Sequence, residues 1–145
     1  PPEAVWPWLV QLGTGRAGAY SYDVLDRLLG LQMHSSRRII PELQDLEVGD
    51  VIPVANDGSG LRVQRLEVPR VLGTRTDDDE WAWTWVLEPT IEGTRLLSRT
   101  RMRTRERPLL ARVGVELLLI PASYVMERKM LRGLRERAEG RALGV

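Results

Sequence analysis

Two neighbouring stretches of the chain alternate so strictly that they leave little choice about its core. In Glu80 to Glu88 the residues Trp81, Trp83, Trp85 and Leu87 fall on every second position, with Ala82, Thr84, Val86 and Glu88 between them. From Thr94 onward the set Arg95, Leu97, Arg99, Arg101, Arg103 and Arg105 alternates with Leu96, Ser98, Thr100, Met102 and Thr104. A period of two is the signature of a strand, because successive side chains leave opposite faces of a sheet. Three indoles on one face carry on the order of 150–250 Å² of buriable surface each. A row of guanidinium groups, by contrast, cannot enter a closed apolar core without partners. The two strands therefore place an apolar interior on the Trp, Leu96, Ser98, Thr100 and Met102 side. The Arg row faces outward.

The same period extends upstream. Asp50 to Val54, Leu61 to Val68 and Val71 to Thr76 read as three further strands, separated by Asn56-Asp57-Gly58-Ser59-Gly60, by Pro69 and by Asp77-Asp78-Asp79. Connections this short join consecutive antiparallel strands into a meander. Before them, Pro1-Pro2-Glu3 opens a helix in which Val5, Trp8, Leu9 and Leu12 share a face and Gly13 is the stop. Ser21 caps a second short helix bearing Val24, Leu25, Leu28 and Leu29, closed by Gly30. After Pro108, Leu109 to Ile120 reads as strand or helix, with helix favoured. From Pro121 onward Ala122, Met126, Met130 and Leu134 recur at helical spacing. The expectation is a single α+β domain over residues 1–145, with two short helices, an antiparallel sheet and a long C-terminal helix.

Composition removes several chemistries. The 145 residues contain no Cys and one His, which excludes disulfides, thiolate catalysis, Cys-ligated zinc and a multi-histidine metal cage. The absence of Cys fits a reducing, cytoplasmic setting. Neither a metal nor a cofactor is implied. The net charge of +1 conceals an asymmetry. Residues 1–90 carry 8 Arg and 14 acidic residues, a net −6, while residues 91–145 carry 13 basic and 6 acidic residues, a net +7. No nucleic-acid-binding motif or aromatic platform accompanies the basic half, so it reads as a solvated face rather than a nucleic-acid interface. The longest apolar stretch, Val113 to Met126, is interrupted by Glu116 and Pro121 and does not span a bilayer.

Word-level matches run in order along nearly the whole chain. They are Pro1-Pro2-Glu3-Ala4-Val5-Trp6-Pro7-Trp8, Tyr20-Ser21-Tyr22-Asp23, Ile40-Pro41-Glu42-Leu43-Gln44-Asp45-Leu46, Val86-Leu87-Glu88-Pro89, Thr94-Arg95-Leu96-Leu97 and Val125-Met126-Glu127-Arg128-Lys129-Met130-Leu131. Together with the element order they make the chain resemble the SRPBCC superfamily, the START-like helix-grip fold. The likeness is greatest to its bacterial, polyketide-cyclase-like branch. The resemblance implies a curved antiparallel sheet wrapped around the C-terminal helix, with a cavity between them. It also implies a first strand ahead of Pro1. The chain opens on Pro1-Pro2 without an initiator Met and reads as cut from something longer, with that strand missing.

Three functions follow as expectations. The first is a soluble, monomeric or homodimeric domain that binds a hydrophobic or aromatic small molecule, lipid or polyketide-like. Its expected ligand-binding residues are Tyr22, His34, Trp81, Trp83, Trp85, Thr100, Met102, Met126 and Met130. The indoles wall the cavity and can offer N–H donors, and the methionines fill irregular space. The second is a cyclase or dehydratase in which His34, Tyr22 and one of Arg37 or Arg38 supply acid–base and anchoring groups. The third is a protein-interaction module using the Arg-rich strand face at Arg99 and Arg101.

Overall fold

A computed structural model describes residues 1–20, 22, 34–103, 108–114, 116–117 and 120–140. The alternating stretches become a five-stranded sheet of β1 (Val51–Pro53), β2 (Gly60–Glu67), β3 (Val71–Arg75), β4 (Trp81–Thr90) and β5 (Gly93–Met102). The spatial order is β1-β2-β3-β4-β5, and every neighbouring pair is antiparallel, the meander that the short connections predict. β2 carries a register shift between Val63 and Arg65. The extra residue, Gln64, returns Leu66 to the buried side opposite Leu72 while Arg65 stays outward opposite Gly73.

β4 runs further than the sequence suggests. Pro89 is expected to end it, yet Pro89 pairs with Thr94 and the turn shrinks to Ile91 and Glu92. The pairing of β3 with β4 stops at Val86, so beyond that point β4 has a neighbour on one side only. A residue without an N–H is tolerated there, as it is on an edge strand.

Helix α1 (Pro2–Val10) starts with Pro at its first position and Glu3 in its first turn, as expected. It ends short of Gly13, because Gly13 and Gly18 exchange backbone hydrogen bonds at 3.1 and 3.2 Å and close a tight loop. Helix α2 (Leu109–Gly114) makes the first part of the stretch after Pro108 helical, and helix α3 (Ile120–Ala138) is the long C-terminal helix. The helix expected from Ser21 to Leu29 lies outside the described residues.

One hydrophobic cluster joins the layers. Trp6, Trp8, Leu9 and Val10 of α1 meet Leu72, Trp85 and Leu87 of the sheet and Met130 and Leu134 of α3. α1 packs against α3 and also touches β4. Gly133 permits a close approach: a Cβ there would stand 2.5 Å from the Tyr20 carbonyl oxygen and 2.8 Å from the Tyr20 Cβ. The architecture is thus α+β, with an antiparallel sheet and helices sharing one core.

Candidate functional site

The register of β4 on β5 assembles the inner face. Trp81 is opposite Met102, Trp83 opposite Thr100, Trp85 opposite Ser98 and Leu87 opposite Leu96. Directly opposed residues share a face, so the four-residue set expected on the interior side of β5 does face the indoles. The three indoles form a column. Trp81 stacks on Trp83 with centroids 5.7 Å apart, and Trp83 leans on Trp85 at 4.5 Å. Burial rises along it: Trp81 and Trp83 are half-buried, whereas Trp85 is 2% exposed. The column therefore has an accessible end at Trp81 and a closed end at Trp85.

The indole N–H groups are treated unequally. Trp83 Nε1 donates to Ser98 Oγ at 2.7 Å, and the Ser98 hydroxyl donates to Glu127 Oε1 on α3. The Nε1 groups of Trp81 and Trp85 are buried and have no hydrogen-bond partner. Buried donors left without partners are uncommon and energetically costly. The Ser98–Glu127 pair sets a polar point beside the aromatic wall.

Of the other residues singled out by sequence, Met130 is buried in the cluster that holds Trp85, and Met126 is half-buried one turn earlier on α3. Thr100 and Met102 lie at the accessible end and are exposed. Tyr22 is 43% exposed, and His34 is exposed as well. Neither belongs to the buried cluster. The backbone of His34 has a packing role: its carbonyl oxygen would lie 2.7 Å from a Cβ placed on Gly18, whose φ is +76°.

Sequence reasoning missed Ser98 and Glu127 as a pair, and it also missed a second polar node. Gln11, fully buried, donates through Nε2 to the Tyr20 hydroxyl at 2.7 Å and to the Arg38 carbonyl at 3.2 Å. Its Oε1 accepts from the Ile40 N–H at 3.0 Å and from Gln44 Nε2 at 3.3 Å. The Arg137 guanidinium lies 4.2 Å from the centroid of the Tyr20 ring and donates to the Ser36 carbonyl at 2.9 Å. Burial pushes the Tyr20 phenol up to about 12. The available signal was Gln11 itself, a long polar side chain inside the apolar run from Trp8 to Leu12.

The outer face is basic and largely solvated. Arg62 pairs with Asp77 at 2.8 Å, Arg65 with Glu67 at 2.6 Å and Arg75 with Asp79 at 3.1 Å, all at exposed positions. These pairs hold two acids of the Asp77–Glu80 turn, and among the described residues no cluster of three or more potential metal ligands occurs. Arg95, Arg99 and Arg101 are exposed and have no ion-pair partner among the described residues. At the other end of the sheet, an open cleft of about 550 Å³ separates the β4–β5 turn from the start of α1 and the last turns of α3. Val5, Leu96, Leu131 and Ala138 give it an apolar floor, and Arg95 and Arg135 line it as well. No protein-family model, curated protein or solved structure matches the chain.

Proposed function

We propose that this chain is a binding domain for a hydrophobic or aromatic small molecule, held against the inner face of β4 and β5 beneath α3. The observation that carries the reading is the indole column, in which the buried Nε1 groups of Trp81 and Trp85 lack partners. A largely apolar wall with a few directional polar groups is the usual make-up of a small-molecule site. The ligand stacks on or beside the indoles, accepts hydrogen bonds from their free N–H groups and presents a donor to the Ser98–Glu127 pair.

On this proposal the fold is the helix-grip form of the SRPBCC superfamily, and the sheet closes around α3. A cyclase or dehydratase would rest on His34 and Tyr22, whose side chains face solvent. Among the described residues no buried acid–base arrangement links them to the indoles, and binding is the reading this geometry supports. Mass spectrometry of the purified protein under native conditions tests it. The expected result is a mass adduct that organic extraction releases as an apolar or aromatic compound. A clean apo mass, together with no adduct after incubation with a hydrophobic compound library, would remove the proposal's basis.

A further inference from the structure

Several large apolar residues of α2 and the start of α3 stay outside the core. Leu110 is 88% exposed and Leu117 70%, and Val113, Ile120, Tyr124 and Val125 are exposed beside them. Leu110 and Val113 lie three residues apart in α2, and Ile120 and Tyr124 lie four apart in α3, each pair at the spacing of one helix face. Scattered surface leucines need no explanation, but a run of large apolar side chains along α2 and the start of α3 marks an interaction surface. The same helix then changes character. Its buried side carries Met130 and Leu134, and Ile120, Tyr124 and Arg128 follow one another at intervals of four. Arg128 and Arg132 are exposed and have no ion-pair partner among the described residues. Just ahead of the patch in the chain, Arg99, Arg101 and Arg103 are exposed and unpaired in the same sense.

We propose that this end of the molecule docks on the surface of an anionic phospholipid bilayer. Leu110, Leu117, Ile120 and Tyr124 enter the boundary between headgroups and acyl chains, and Arg128 and Arg132 meet the lipid phosphates. Apolar side chains next to unpaired cations are the features by which an interfacial helix holds an anionic membrane. No helix among the described residues is long and apolar enough to cross a membrane, so the contact is with the surface. Charge complementarity argues for this occupant: the exposed Arg128 and Arg132 follow Tyr124 at intervals of four on α3, where an anionic headgroup layer supplies the counter-charge they lack.

Co-sedimentation with sucrose-loaded vesicles tests the proposal. Vesicles of phosphatidylcholine alone are compared with vesicles of phosphatidylcholine and phosphatidylglycerol. The account predicts at least about tenfold stronger partitioning onto the anionic vesicles, weakening as salt is added. Leu117→Asp with Ile120→Asp abolishes it, and so does Arg128→Glu with Arg132→Glu. All four positions are exposed, so thermal melts of both variants should match the parent and certify folding. Equal binding to both vesicle types, or no binding to either, overturns the proposal. Anionic-vesicle binding that survives Leu117→Asp with Ile120→Asp also overturns it, since charge alone would then suffice. A concentration-dependent dimer that these Asp substitutions dissolve assigns the patch to a second copy instead.

Discussion

The Trp83 indole donates to the Ser98 hydroxyl at 2.7 Å, and that hydroxyl donates onward to Glu127, so one polar relay ties β4, β5 and α3 together. It crosses from sheet to helix at the level where the indole column passes from half-buried to fully buried. A relay in that position fixes the lateral placement of α3 over β5 and orients the Trp83 ring.

Removing its middle member should be felt in both stability and binding. Ser98→Ala leaves a part-buried indole N–H and a part-buried carboxylate without their shared partner, at a cost of roughly 1–3 kcal/mol. Urea denaturation should show a lower midpoint at an unchanged slope. Ser98→Thr retains the hydroxyl and should recover most of the loss.

The glycines of the two C-terminal helices should respond in opposite directions to the same change. Alanine is the better helix former by about 1 kcal/mol. At Gly133, however, the added methyl meets the Tyr20 backbone at 2.5 Å, and overpacking costs about 1–3 kcal/mol. Gly133→Ala should therefore destabilise. At Gly114 in α2 a Cβ meets nothing within 4 Å, and Gly114→Ala should stabilise by up to about 1 kcal/mol. Thermal melts of the two variants check the sign directly.

Tyr20 makes stability depend on pH at the alkaline end. Burial, opposed in part by the Gln11 hydrogen bond and the Arg137 charge, raises its phenol from 10.0 to about 12 in the folded chain. The neutral phenol is the form that the fold favours. Its contribution is therefore complete below pH 10 and is lost as pH rises through about 12. The loss should amount to roughly 2–3 kcal/mol. Unfolding free energies measured between pH 9 and 12.5 should fall accordingly in the parent (about the span that linkage requires) and less steeply in Tyr20→Phe.

The indole column should separate a structural end from an accessible one. Trp85→Ala removes a ring that is almost wholly buried and should cost about 3–5 kcal/mol. Trp81→Ala removes a half-buried ring and should cost under about 2 kcal/mol. Chemical denaturation of the two variants, run side by side, measures the contrast.

Strand order and facing were legible in the sequence because a period of two is local and because charge excludes the Arg row from the core. Trp83 and Arg99 belong to opposite faces on sequence spacing alone, and the register of β4 on β5 places them so. Contacts that depend on the phase of one element against another were not legible. Ser98 and Glu127 lie 29 residues apart, and their meeting depends on how α3 rotates over β5. The Gln11 node reaches Gln44, 33 positions away, and the backbone groups of Arg38 and Ile40, which carry no residue-type signal. Pro89 misled for a different reason. Proline ends strands that are paired on both sides, and β4 at that point is paired on only one.

The central claim, that the inner face of β4 and β5 receives an apolar or aromatic ligand, is tested most directly by titrating tryptophan fluorescence with a panel of hydrophobic and aromatic compounds. The account predicts saturable quenching or a spectral shift by at least one compound, at one site per chain. The response should be lost in Trp81→Leu and Trp83→Leu and unchanged in Leu117→Asp. A panel that produces no saturable response, or a response that persists in both indole variants, would contradict it.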